Sequence, residues 1–112
     1  MRIAVPVAQG VLNLHFGHCK AFVLLDVDQD KKEILQRDEV DAPKHEPGVL
    51  PQFLADRGVN VIISGGMGSR AQDLFESHGI SVICGAPIKT PEELVKEYLA
   101  GTLVAGDNAC DH

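Results

Sequence analysis

The 112-residue sequence is poor in the side chains that nucleic-acid binding requires. It has no Trp, one Tyr and four Phe, so it offers no row of aromatic rings on which single-stranded bases could stack. Ten Lys and Arg stand against 16 Asp and Glu, which gives a formal net charge of -6, and no basic cluster interrupts this balance. We therefore expect no nucleic-acid partner.

Long hydrophobic runs are also missing. Although 45% of the residues are hydrophobic, no stretch approaches the roughly 20 apolar residues that a membrane span needs. The apolar start is interrupted by Pro6 and Gln9-Gly10 too early for a secretory signal. The sequence has only three cysteines, which we interpret as thiols rather than disulfides. These features predict a cytoplasmic protein with no membrane partner.

Short apolar segments between Gly and Pro breaks predict one domain over residues 1–101 and a tail over residues 102–112. The runs Arg2–Val7 and Ala21–Asp28 have the composition of strands, and a weak alternation from Ile34 to Val40 suits an outer strand. The first part of the chain is therefore predicted to form three antiparallel strands.

The second part alternates between helical and strand periods. We predict strands at Val59–Ile63 and Ile80–Cys84, and three helices, which start at Val49, near Ala71 and at Thr90-Pro91. Three antiparallel strands followed by α-β-α-β-α predict a mixed five-stranded α/β sheet with helices on both faces, the ribonuclease H-like arrangement.

Two loops of this predicted fold carry unusual residues. If the first strand and the Val59–Ile63 strand are parallel neighbours, the His15–Cys19 loop and the Gly65–Gly68 loop leave the sheet at one carboxyl edge, where α/β folds bind ligands. The eleven residues after Gly101 could span about 35 Å if extended, so Cys110 and His112 can reach the same cleft.

Known catalytic patterns are not found in the sequence. Arg2–Val7 contains no Asp or Glu, whereas two-metal nucleases of this fold class need carboxylates on the first strand to bind Mg²⁺. No serine lies in a nucleophile-elbow pattern, and no Cys-His pair comes with an identifiable orienting acid. We therefore expect no enzymatic activity and name no catalytic residue.

Four segments together resemble the dinitrogenase iron–molybdenum cofactor biosynthesis family, which includes NifX-like and NafY-like domains and small stand-alone members. The resemblance covers nearly the whole chain and rests on Ile3–Val7, His15-Phe16-Gly17, Ile62–Gly68 and Asn108–His112. It implies a ribonuclease H-like, non-catalytic protein that binds or carries a metal–sulfur cofactor of the iron–sulfur, iron–molybdenum or molybdenum–copper type. His15 matches the histidine implicated as a ligand of the cluster. Donor and acceptor proteins would then be partners of a monomer or homodimer.

Five residues are candidate metal ligands, each with an alternative. The candidates are His15, His18, Cys19, Cys110 and His112. Imidazole and thiolate suit iron, copper and zinc, but His15 and His18 could be plain surface residues, Cys19 could be buried in the core, and the tail could be disordered. Cys84 is better explained by core packing, and His45 by solvation. His78 falls on the predicted buried face at a helix end, where a positive charge or a hydrogen bond to the last carbonyls explains it.

The glycine loop is a candidate cofactor-binding segment. Gly65, Gly66, Met67 and Gly68 precede a helix, so backbone N–H groups and the positive helix end could bind an anion, with Arg70 as a counter-charge. Met67 could add a thioether contact or only cover the cleft, and the glycines could simply form a tight turn. Two other functions therefore stay open: a small-molecule or anion-binding regulatory module, and a zinc-structured interaction domain.

Overall fold

The protein is an α/β domain, seen in a computed structural model that describes residues 1–12, 20–43 and 49–103. These ranges contain six strands and three helices. In chain order they are β1 (Arg2–Ala8), β2 (Val11–Leu12), β3 (Ala21–Asp28), β4 (Glu33–Asp41), α1 (Val49–Asp56), β5 (Val61–Ile63), α2 (Ser69–Ser77), β6 (Ser81–Ile83) and α3 (Pro91–Ala100). No helix in these ranges has the length and apolarity that crossing a bilayer requires.

The strands form one mixed sheet in the order β4-β3-β1-β5-β6. The short strand β2 is not part of this order and pairs with β1. β1, β3 and β4 are antiparallel, whereas β5 and β6 run parallel to β1. The predicted antiparallel and parallel parts are confirmed. The predicted number of five strands is wrong, because the two-residue strand β2 is too short to produce a periodic signal.

Two hydrophobic clusters cover the two faces of the sheet. On one face, Leu94 and Val95 of α3 pack against the side chains of Ile3, Val5 and Val23. On the other face α1 and α2 supply Leu50, Leu54 and Phe75, which pack with Ala4, Phe22 and Ile62. Alternate residues of β1 thus point into opposite clusters, as expected for a strand in the middle of a sheet. The prediction of helices on both faces is confirmed.

The strands β5 and β6 and the residue His78 differ locally from the sequence prediction, and β6 spans Ser81–Ile83 rather than Ile80–Cys84. β5 begins at Val61 rather than Val59, because Val59 N–H donates to the Leu54 carbonyl at the end of α1. His78 is exposed rather than buried, and one ring nitrogen lies 2.9 Å from the Leu74 carbonyl oxygen at the end of α2. The predicted contact of His78 with a helix-terminal carbonyl is therefore confirmed. His45 lies outside the described residues.

Candidate functional site at the carboxyl edge of the sheet

The carboxyl ends of β1 and β5 lie at the same edge of the sheet. Ile3 pairs with Val61 and Ala4 with Ile62 in parallel register. The glycine loop, residues 65–68, follows β5 directly and therefore leaves the sheet at the edge where β1 ends. The predicted parallel pairing, on which the site depends, is confirmed.

The hairpin formed by β1 and β2 brings the chain back to this edge. Gln9 and Gly10 both have positive φ, 54° and 84°, which is the conformation of a two-residue type I′ turn. The turn lets Val7 pair with Leu12. Because Val7 lies about 10 Å along β1 beyond Ala4, β2 occupies the strand edge that β5 leaves free. The hairpin thus stands beside the point where the glycine loop begins.

The residues that flank segment 13–19 on both sides pair with the same residue of β1. Leu12 pairs with Val7 from one side of β1, and Ala21 pairs with Val7 from the other. The Leu12 N–H also donates to the Lys89 carbonyl at 2.9 Å, which joins the hairpin to the segment before α3. The sequence around His15 is therefore attached at both ends to the carboxyl edge of β1.

The five candidate metal ligands lie outside the described residues. His15, His18 and Cys19 belong to the segment 13–19, and Cys110 and His112 to residues 104–112. Their roles stay predictions. Within the described ranges, no group of three or more His, Cys, Asp or Glu side chains is arranged to hold a metal ion.

Backbone hydrogen bonds tie the glycine loop to the loop after β6. Gly85 N–H donates to the Gly65 carbonyl at 3.0 Å, and Ala86 N–H donates to the Ser64 carbonyl at 3.1 Å. Ser64 is fully buried, and its hydroxyl lies 3.9 Å from the sulfur of Cys84, which packs against the α1 and α2 side of the core. These bonds hold the glycine loop and the loop after β6 side by side at the carboxyl edge of the sheet.

Met67 turns its side chain into the protein. It is 1% exposed and belongs to the cluster formed with Leu54 and Phe75, while its carbonyl accepts a hydrogen bond from the Gln72 side chain at 2.8 Å. Packing explains the residue at this position, and a contact between its thioether and a cofactor stays a prediction.

The N-terminus of α2 lacks the features that usually stabilise a helix start. Its N-cap is Gly68, no side chain caps it, and its first turn contains no acidic residue but the exposed Arg70. By contrast, the N-terminus of α3 is capped, because the Thr90 hydroxyl accepts a hydrogen bond from Glu93 N–H. A cation in the first turn opposes the helix dipole, so stability does not explain Arg70. The arrangement suits a bound anion.

Space is open in front of this helix end. Gly68 is exposed, and a Cβ atom added to it would meet no heavy atom within 4 Å. Gly65 and Gly66 are buried behind it. An approaching anion would therefore meet the α2 N-terminus first at Gly68 and Arg70.

A cleft of about 460 Å³ opens beside the hairpin, at the same edge of the sheet. Its lining joins the end of β1 and the turn to the start of β3 and to β4: Val7, Ala8, Gln9, Gly10, Lys20, Ala21 and Glu39. Lys20 and Glu39 were not predicted from the sequence, because they are 19 residues apart and line one cleft only through the pairing of β3 with β4. Lys20 directly follows the motif around His15, which is the one signal that could have drawn attention to it.

The strand order and this loop-lined edge define a small α/β protein with one candidate binding surface. The chain belongs to the dinitrogenase iron-molybdenum cofactor family, whose model matches residues 1–101. The structure of PH0822 is similar, with a TM-score of 0.85 and 30% identity over 94% of each chain. The orange protein of Desulfovibrio gigas has a TM-score of 0.74 and 26% identity, over 96% of this chain and 93% of that one. Uncharacterized protein MJ0580 of Methanocaldococcus jannaschii is 29% identical over 92% of this chain and 89% of its own.

Proposed function

We propose that the protein is a non-catalytic, cytoplasmic carrier of a metal–sulfur cofactor, which it receives from a donor protein and passes to an acceptor. The observation that carries this proposal is the shared edge, where both flanks of the 13–19 segment pair with the end of β1, while the glycine loop and the uncapped end of α2 follow the neighbouring parallel strand β5. Membership of a family named for such a cofactor supports it.

In this proposal the two halves of the site have different tasks. His15, His18, Cys19, Cys110 and His112 supply imidazole and thiolate ligands to the metals of the cargo. The glycine loop supplies backbone N–H groups to its sulfides, and Arg70 balances its negative charge. Such local positive groups are needed because the whole chain carries a net charge of -6. The cargo class is an iron–sulfur, iron–molybdenum or molybdenum–copper cluster.

The strand order supports a further part of the proposal, a ribonuclease H-like sheet. Three antiparallel strands in the order β4-β3-β1 continue into the parallel strands β5 and β6, with α3 on one face and α1 and α2 on the other. We also propose one domain over residues 1–101 with a cargo-contacting tail over residues 102–112.

Anaerobic reconstitution tests the proposal. The protein is incubated with ferrous iron and sulfide, or with tetrathiomolybdate and copper(I), desalted, and measured by visible absorption and metal analysis. We expect charge-transfer bands and bound metal in wild type, and a large loss of both in His15→Ala. The matched control is His78→Ala, which removes an imidazole from the far end of α2 and should load like wild type. A colourless, metal-free wild type after both treatments would contradict the proposal.

A substitution at Gly68 separates cargo binding from stability. Gly68 has φ -65° and ψ 154°, which any residue adopts, and open space around it, so Asp fits there as an N-cap. We expect Gly68→Asp to raise the melting temperature slightly, because Asp caps helices a few tenths of a kcal/mol better than Gly. It should also weaken cargo binding, because the carboxylate takes the place of the anion. An unchanged affinity for cargo would show that the α2 N-terminus is not part of the site.

The same experiments decide between the proposal and its rivals. A colourless protein that retains zinc in molar ratio to the chain would favour a zinc-structured interaction domain, because d¹⁰ zinc gives no visible bands. Anion binding that survives His15→Ala and is lost in Gly66→Val would favour a regulatory module without metal.

A further inference from the structure

Lys89, in the segment before α3, links the β1–β2 hairpin to that helix. Lys89 accepts the hydrogen bond of the Leu12 N–H through its carbonyl, and its ammonium lies 2.8 Å from a carboxylate oxygen of Glu97. Leu12 is the last described residue before the 13–19 segment. One lysine therefore joins the hairpin to α3 through its backbone and its side chain.

The backbone of Glu97 also binds the segment that follows α3. Its backbone carbonyl accepts hydrogen bonds from Thr102 N–H at 2.9 Å and Leu103 N–H at 3.1 Å, where the chain passes from α3 towards residues 104–112. Leu103 packs against the cluster on the α3 face. Lys89 and Glu97 therefore connect Leu12, the last described residue before segment 13–19, with Leu103, the last described residue before the tail.

The Lys89 backbone lies between an exposed residue and the N-cap of α3. The preceding residue, Ile88, is 60% exposed and so contributes little apolar packing. The following residue, Thr90, is the N-cap of α3. The Lys89 side chain is 40% exposed and that of Glu97 25%, and the hydrogen bond to Glu97 raises the pKa of Lys89. The Lys89 ammonium thus stays charged across the neutral pH range.

We propose that the Lys89–Glu97 ion pair is a positioning device for cargo binding. It fixes the Lys89 carbonyl relative to α3, and through it the Leu12 N–H, so that Leu12, which precedes the His15 segment, is held at a set place relative to Leu103, which precedes the tail. This inference rests on the proposed carrier function, and Lys89 itself touches no cargo.

Amide hydrogen exchange tests the device directly, without any cargo. In Lys89→Gln we expect the Leu12 amide to exchange about two- to fivefold faster, the range that loss of a solvent-exposed ion pair supports. The matched control is Lys96→Gln, which removes the same charge from the exposed side of α3. Exchange at Asn60, which donates to the Arg2 carbonyl at the opposite edge, should not change in either variant. An unchanged Leu12 amide in Lys89→Gln would overturn the proposal.

Variants with reversed charges give a second test of the proposal. Lys89→Glu should weaken binding of the reconstituted iron–sulfur or molybdenum–copper cargo, and adding Glu97→Lys should restore both the affinity and the slow exchange of Leu12. Faster exchange with unchanged affinity, or no rescue by the double variant, would overturn the positioning role. If wild type itself binds no cargo, the carrier function fails, whereas the exchange measurement still decides whether the ion pair fixes Leu12.

Discussion

At the scale of single residues, the Arg2–Asp26 ion pair at the amino edge of the sheet gives the clearest pH-dependent prediction. Arg2 donates two hydrogen bonds to the Asp26 carboxylate, at 2.6 and 3.2 Å, and a third to the Arg57 carbonyl. The hydrogen bond from Arg2 lowers the pKa of Asp26 below 3.8, and the same bond raises the pKa of the Arg2 guanidinium above its ordinary value. Both groups are therefore charged at neutral pH.

A lowered folded pKa means that the stabilisation by Asp26 is fully present above the unfolded pKa and is lost as the pH falls through the folded value. We expect Asp26→Asn to lower the free energy of unfolding at pH 7 by about 1 kcal/mol, reduced by the partial exposure of both side chains. The difference from wild type should shrink as the pH falls below 3.8. Urea unfolding across this range measures it. Asp73→Asn, an exposed control on α2, should show little difference at any pH.

At the scale of elements, the hairpin turn is the feature that sequence reasoning could not find. Type I′ turns favour Asn-Gly, Asp-Gly or Gly-Gly, and Gln9-Gly10 is not one of these pairs. A two-residue strand also gives no periodicity. By contrast, Thr90-Pro91 identified the start of α3, because an N-cap Thr and a Pro at the first helical position each have a local physical role in a helix N-terminus.

The turn can be improved without touching the core. Gln9→Asn should raise the free energy of unfolding by about 0.5 kcal/mol, because Asn tolerates positive φ better than Gln. Gly10→Ala should lower it by about 1 kcal/mol, although a Cβ there meets no atom within 4 Å, since the cost comes from φ alone. Urea unfolding of both variants measures the two effects. A neutral Gly10→Ala would mean that the turn does not hold this conformation in solution.

At the scale of the whole molecule, the order of elements and the parallel β1–β5 contact followed from the sequence, because each buried strand is a continuous apolar run. The cleft did not, since Lys20 precedes β3 and Glu39 lies in β4, and they line one cleft only because these two strands pair. The predicted ligands His15, Cys19, Cys110 and His112 fall outside the described residues, so for them the sequence remains the source of the prediction.

The two core clusters should unfold as one unit, because β1 contributes alternate residues to both. Leu54→Ala on the α1 face and Leu94→Ala on the α3 face should each lower the free energy of unfolding by about 3 kcal/mol, since both side chains are fully buried. Circular dichroism and tyrosine fluorescence should give coincident urea transitions in both variants. Separate transitions would show that the two faces are independently stable.

The central claim is that cargo binds where the hairpin, the glycine loop and the start of α2 meet. Amide chemical shifts of metal-free and anaerobically loaded protein test it most directly, with tetrathiomolybdate and copper(I) as a diamagnetic cargo. We predict large changes at Leu12, Lys20, Gly66, Gly68 and Arg70, and none at Lys31 and Asn60 near the opposite edge. Changes concentrated at the opposite edge, with the glycine loop unaffected, would contradict the account.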